Sequence, residues 1–177
     1  MLRCYVTDRR EGALEVFAQR AIADGVDYIQ VREKDLPARE LFDMVCRIRN
    51  IAAGSKTRIL VNDRLDVALA AGIDGVHLPG NGLPAERVRP LVSLLGVSTH
   101  TIEEAIAAET ARADFIVFGP VFDTPGKQAI GLDALRAVTS VVRIPVLAIG
   151  GVHIGNARFV MDAGARGFAA IRLFQCG

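Results

Sequence analysis

The 177-residue sequence has almost no net charge: 21 Lys and Arg stand against 20 Asp and Glu, a formal +1. It also lacks any run of Lys or Arg. Without a basic field there is little to grip a phosphodiester backbone, which excludes a nucleic-acid binder of the usual kind. Cysteine is scarce too. Cys4, Cys46 and Cys176 are scattered, form no CxxC pair and match no metal-ligand spacing. Reduced thiols in a cytoplasmic protein are expected. The N-terminus, Met1 to Asp8, carries Arg3 and Asp8 and lacks the pattern of a signal peptide. No apolar run approaches the roughly 18 residues of a membrane span. No Ser/Gly linker or shift in composition divides the chain, so residues 1–177 are read as one domain.

What is present is a large apolar content. Hydrophobic residues make up 51% and charged residues 23%, with a mean hydropathy of +0.31. That is too apolar for disorder and enough for a sizeable core. The hydropathy is high for a chain without a membrane segment, and strands buried on both faces account for it.

Eight short runs have that character: 2–7, 28–32, 58–62, 75–78, 94–98, 115–119, 145–149 and 167–171. They are rich in Val, Ile and Leu and do not alternate polar with apolar. Between them lie helical patterns at 11–24, 37–53, 64–71, 84–92, 101–112, 132–142 and 156–163. Thr101 followed by Glu103 and Glu104 reads as a helix start. Gly25, Gly72 and Gly164 follow helices where a left-handed residue is wanted. Strands alternating with helices imply a parallel sheet. An open doubly wound sheet would want a Gly-rich phosphate loop after its first strand, and Asp8-Arg9-Arg10-Glu11-Gly12 stands there instead. The expected fold is therefore a compact (β/α)8 TIM barrel. Too few residues follow the eighth strand for an eighth helix. The outer face of strands eight and one is then expected to lie bare, unless a second subunit in a homo-oligomer or a shifted seventh helix covers it.

A barrel carries its chemistry at the C-terminal ends of its strands. After the second strand, alternation puts Gln30 and Arg32 on one face with Lys34 continuing it, an arrangement suited to a diphosphate. A solvated loop with an internal ion pair is the plainer account of the same charges. After the third strand, Asp63 suits Mg²⁺ with waters completing its shell, or equally a helix cap. Ser98 offers a hydroxyl after strand five. The long loop after strand six ends at Lys127, a cation for an anionic ligand. Gly150 and Gly151 after strand seven allow backbone amides to approach a phosphate. His77, His100 and His153 are read as satisfied structural histidines, since no carboxylate partner is visible near them.

In this order, Tyr5–Asp8, Gln30–Asp35, Val61–Ala68, Asp74–Leu78, Gly96–Thr101, Phe118–Phe122 and Ala148–Gly151 resemble the motifs of the thiamine phosphate synthase family. The resemblance implies a transferase. It joins hydroxymethylpyrimidine diphosphate to thiazole phosphate and releases pyrophosphate, with Mg²⁺ as cofactor and these small phosphorylated molecules as its substrates. By the same resemblance Gln30, Val31, Arg32, Glu33, Lys34 and Asn62 would bind the pyrimidine diphosphate. Asp63 would hold Mg²⁺, and Ser98 and Lys127 would contact the diphosphate. Thr124, Gly151, Ile171 and Arg172 would meet the thiazole phosphate. Arg32, Lys34, Ser98 and Lys127 would act on the departing pyrophosphate. The chain departs from the family pattern at three places. Gly82 stands where a second metal-binding aspartate is usual, Gly126 replaces a hydroxyl residue, and Arg172 replaces a serine. Two alternatives accommodate these changes: a thiazole tautomerase-like isomerase, which needs no metal, and a non-catalytic phosphate-binding paralogue.

Overall fold

The computed structural model describes residues 1–175. Eight parallel strands close into a barrel in chain order. They are β1 (Leu2–Val6), β2 (Tyr28–Val31), β3 (Arg58–Asn62), β4 (Gly75–Leu78), β5 (Leu94–Thr99), β6 (Phe115–Phe118), β7 (Val146–Ala148) and β8 (Gly167–Ala170). Closure runs through β8 and β1, where Arg3 pairs with Phe168 and Cys4 with Ala169. Each strand falls within the apolar run expected for it, give or take a residue at the ends.

The absence of alternation in those runs has a direct cause. One set of side chains, Cys4, Val6, Leu60, Leu94, Phe115, Val117, Leu147 and Ala169, fills the barrel interior. Tyr28 joins it, stacked on Phe115 at 4.8 Å between ring centroids. The other set, which includes Tyr5, Ile29, Val61, Leu95, Phe118 and Phe168, packs outward under the helices. Both faces of every strand are thus removed from water.

The helices are α1 (Leu14–Ala23), α2 (Ala38–Ala52), α3 (Leu65–Ala71), α4 (Ala85–Val88), α5 (Ile102–Thr110), α6 (Leu132–Val141) and α7 (Ala157–Asp162). Thr101 caps α5 as expected, its hydroxyl accepting from the Glu104 amide at 3.2 Å. Two helices are shorter than their patterns. The first yields a 3₁₀ turn at Arg9–Glu11, and Gly12 (φ 138°) breaks it from α1. In the fourth, α4 gives way to a 3₁₀ turn at Arg89–Leu91, where Pro90 has no N–H to continue the α ladder.

The bare outer face expected at β8 and β1 is not found. Tyr5, Phe168 and Ala170 are buried within this one chain. The residues after β8 form a 3₁₀ turn, Arg172–Phe174, that lays Phe174 against Tyr5 with ring centroids 5.5 Å apart. Gln175 then ties the turn down, its side-chain amide donating to the Asp8 carbonyl at 2.8 Å and to the Tyr5 hydroxyl at 3.2 Å. One turn covers what a helix was expected to be needed for. No helix among the described residues is long and apolar enough to cross a membrane.

Candidate active site

The site is built from the strand ends outward. At the C-terminal end of the barrel the interior changes from apolar to polar. Gln30 points inward and is buried, and its amide makes no hydrogen bond among the described residues. Asn62, at the end of β3, is half-buried and likewise without a side-chain partner among them. His77 in β4 is paired in register with both Asn62 and Gly96. Its Nε2 lies 2.8 Å from the Ser98 hydroxyl. Burial, and after it the positive charge of Arg32, holds the His77 imidazole down to about 3, so the ring is neutral. Arg32 follows directly on β2 at this end of the barrel. Ile149 and Ile171 pack against the interior residues at the same end.

The charges after β2 are sorted by a residue that the sequence did not flag. Arg9, beyond β1, donates through both guanidinium nitrogens to Asp35 at 2.8 and 2.7 Å. Its backbone N–H reaches the Glu33 carboxylate at 3.1 and 3.2 Å. Glu33 is buried and also accepts from the Thr7 hydroxyl at 2.6 Å. Thr7 Oγ1 in turn accepts from the Arg32 backbone N–H at 2.9 Å. Both carboxylates of the loop are therefore engaged by Arg9 and Thr7. Arg32 and Lys34 have no ion-pair partner among the described residues. The internal ion pair expected of this loop is replaced by pairs to β1's loop. The same Arg9 contacts hold the Asp35 carboxyl below its ordinary range. Val31, by contrast, turns outward into the layer beneath the helices.

After β3, Asp63 takes a left-handed backbone (φ 63°), which an aspartate tolerates better than most residues. It does not cap α3: Arg64 occupies that position without a side-chain bond. Arg64 pairs instead with Asp66 at 2.6 Å. The Asp63 carboxylate is exposed and has no hydrogen bond or ion pair among the described residues. A Cβ placed on Gly82 would lie 3.0 Å from Asp63 Oδ1, so the loop after β4 does face this carboxylate. Asn81 and Gly82 line one groove with Asp63. No group of three His, Cys, Asp or Glu assembles among the described residues.

The loop after β6 folds into a tight hairpin in which Thr124 and Lys127 exchange backbone bonds of 3.1 and 2.9 Å. Pro125 and Gly126 (φ 78°) occupy its corner, the pattern of a type II turn. The hydroxyl missing at Gly126 is thus exchanged for a turn that a β-branched residue would strain. Lys127 is exposed at its end. The loop packs on the segment after β7. Phe122 donates to the Gly150 carbonyl at 3.1 Å, and a Cβ on Gly151 would come within 2.8 Å of Phe122 Cβ. Gly150 (φ 94°) and Gly151 (φ 64°) turn this segment, and their amides donate to no protein acceptor among the described residues. Arg172 is exposed at the start of the last 3₁₀ turn.

His100 fits its expected structural role, with Nδ1 2.6 Å from the Gly119 carbonyl. His77 does not: its Nδ1 is buried without a partner.

A thiamine monophosphate synthase family model matches residues 4–174. The chain belongs to the thiamine monophosphate synthase family. It is 40% identical to a thiamine-phosphate synthase of Roseiflexus sp., covering 94% of this chain and 75% of that protein. It is 45% identical to one of Methanocella arvoryzae, covering 87% and 76%. The thiamine phosphate pyrophosphorylase structure from Pyrococcus furiosus superposes with a TM-score of 0.89 at 36% identity, over 96% of this chain and 85% of that one. Family membership and the barrel expected from the sequence are both borne out.

Proposed function

We propose that this barrel makes thiamine phosphate, joining hydroxymethylpyrimidine diphosphate to thiazole phosphate and releasing pyrophosphate. The observation that carries the reading is the sorting of charge around Arg9. Because Arg9 and Thr7 engage Glu33 and Asp35, Arg32 and Lys34 are left as cations at the barrel mouth with no ion-pair partner among the described residues. A departing diphosphate is a dense anion, and positioned cations in a partly dry site stabilise it most when its charge develops.

In the reaction the bond between the pyrimidine methylene and the diphosphate oxygen breaks, and its electron pair leaves with pyrophosphate. The thiazole nitrogen lone pair then forms the new bond to that carbon. The protein needs no general base for this. Its work is to hold and orient. The free amides of Gln30 and Asn62 suit the pyrimidine ring. Arg32, Lys34, Lys127 and the Ser98 hydroxyl hold the diphosphate. The amides of Gly150 and Gly151 take the thiazole phosphate, with Thr124, Ile171 and Arg172 beside it. Val31 and Glu33 act from behind, one packed under the helices and the other anchoring the loop.

Asp63 is the chain's candidate for Mg²⁺. Its carboxylate has no competing partner among the described residues and opens on a groove with Asn81, which fits an ion that would keep most of its waters. Bound there, Mg²⁺ would neutralise diphosphate charge. The synthase names of the relatives favour this reading over the isomerase and the non-catalytic paralogue.

The test is turnover with both phosphorylated substrates and Mg²⁺, followed by pyrophosphate release. Lys127→Ala and Arg32→Ala should each slow it about 100-fold, the scale of losing one preorganised charge contact. Absence of product from the wild-type protein, with phosphate-ligand binding intact by calorimetry, would overturn the assignment.

A further inference from the structure

We propose that His77 is a positioning residue: it holds the Ser98 hydroxyl so that its proton points to the mouth and is offered to the leaving diphosphate. The proposal rests on the diphosphate contact assigned to Ser98 above. The geometry has three parts. His77 Nε2 and Ser98 Oγ are 2.8 Å apart. His77 Nδ1 is buried and has no hydrogen-bond partner among the described residues. That nitrogen is pressed against β5, since a Cβ on Gly96 would lie 2.6 Å from it, and the Phe115 ring stands beside the imidazole with centroids 6.0 Å apart.

A neutral imidazole carries one proton and must choose a nitrogen. A proton on Nδ1 would leave a buried donor with no acceptor, the costlier of the two arrangements. A proton on Nε2 donates to Ser98 Oγ and leaves Nδ1 as a bare lone pair. Ser98 Oγ then already accepts from within the barrel. Its own proton has no protein acceptor among the described residues and turns outward. The opposite tautomer would have Ser98 donate inward and aim lone pairs at an anion. The choice made by a buried ring thus decides whether Ser98 attracts or repels a phosphate oxygen. Gly96 is part of the device, because any side chain there would displace the ring.

Two measurements test this. Nitrogen-15 NMR of the His77 ring at neutral pH should show Nε2 protonated and Nδ1 bare; the reverse assignment overturns the proposal. Calorimetric titration with inorganic pyrophosphate and Mg²⁺ then compares Ser98→Ala, His77→Leu and the double variant. Ser98→Ala and His77→Leu should each weaken binding about tenfold, as for one hydrogen bond to a charged group, and the double variant should be no weaker than either. His77→Gln restores a donor near the Nε2 position and should recover much of the affinity. It also carries the comparison if His77→Leu does not fold. If Ser98→Ala weakens binding but the histidine variants do not, or their effects add, His77 has no such role and the Ser98 contact stands. If Ser98→Ala binds pyrophosphate like the wild type, the Ser98 contact fails, and the His77 proposal with it.

Discussion

Gly151 shows how a single residue can tie the segment proposed to take the thiazole phosphate to the fold. Its φ of 64° lies in the left-handed region, and a Cβ there would meet Phe122 Cβ at 2.8 Å and the Asp123 carbonyl at 3.0 Å. Gly151→Ala therefore meets both backbone strain and a clash with the loop that ends in Lys127. It should cost about 1–3 kcal/mol, read as a lower urea midpoint, and should raise KM for the thiazole phosphate. An unchanged midpoint would mean that the two loops move apart freely. Residues of this kind were legible in the sequence because paired glycines at a strand end have few other uses. His77 was not. Its meaning lies in which nitrogen faces Ser98 and which faces Gly96, and no spacing within one strand reveals neighbours on the next. Asp63 was legible only halfway: metal ligand and helix cap read alike in sequence, and the Arg64 cap position removes the cap reading while the metal role stays a proposal.

At the scale of elements, the ends of β1 and β2 are fastened together by side chains rather than by the sheet ladder alone. Thr7 is the centre of that fastening, accepting from the Arg32 amide and donating to Glu33. Thr7→Val keeps the volume and removes both bonds. It leaves a buried carboxylate short of a donor and an amide without its acceptor, at a cost of about 1–3 kcal/mol. Since the same bonds position the loop bearing Arg32 and Lys34, KM for the pyrimidine diphosphate should rise as well. A stability loss with an unchanged KM would show that the loop is held by Arg9 alone. The eight strands were readable because burial on both faces leaves an unmistakable apolar run. The last turn was not readable as a cover. Its effect depends on Phe174 and Gln175 reaching β1, some 170 positions away along the chain. The Arg9–Asp35 pairing was invisible for a similar reason, since the two residues lie 26 positions apart and meet only when β1 and β2 pair.

For the whole molecule, groups buried inside the barrel and in the layer beneath the helices set a pH window. His77 stays neutral in the fold down to about pH 3 because it is buried and near Arg32, whereas in the unfolded chain it titrates near 6.5. Between those values the unfolded state binds more protons. Stability is thus full above 6.5 and falls as the pH drops toward 3. On the alkaline side, burial pushes the Cys4 thiol from 9.0 up to about 12 and the Tyr5 hydroxyl from 10.0 up to about 12. There the unfolded chain loses its protons first. Stability is full below 9 and declines as the pH rises toward 12. A plot of urea midpoint against pH should therefore show a plateau from about pH 7 to about pH 9, with a slope on each side. Two variants separate the limbs. His77→Gln should flatten the acid slope above about pH 4 and leave the alkaline one alone. Cys4→Ala should move the start of the alkaline fall up toward the range of Tyr5 and leave the acid slope alone. If either variant shifts both limbs, the interior does not titrate group by group, and the window belongs to cooperative opening of the barrel instead.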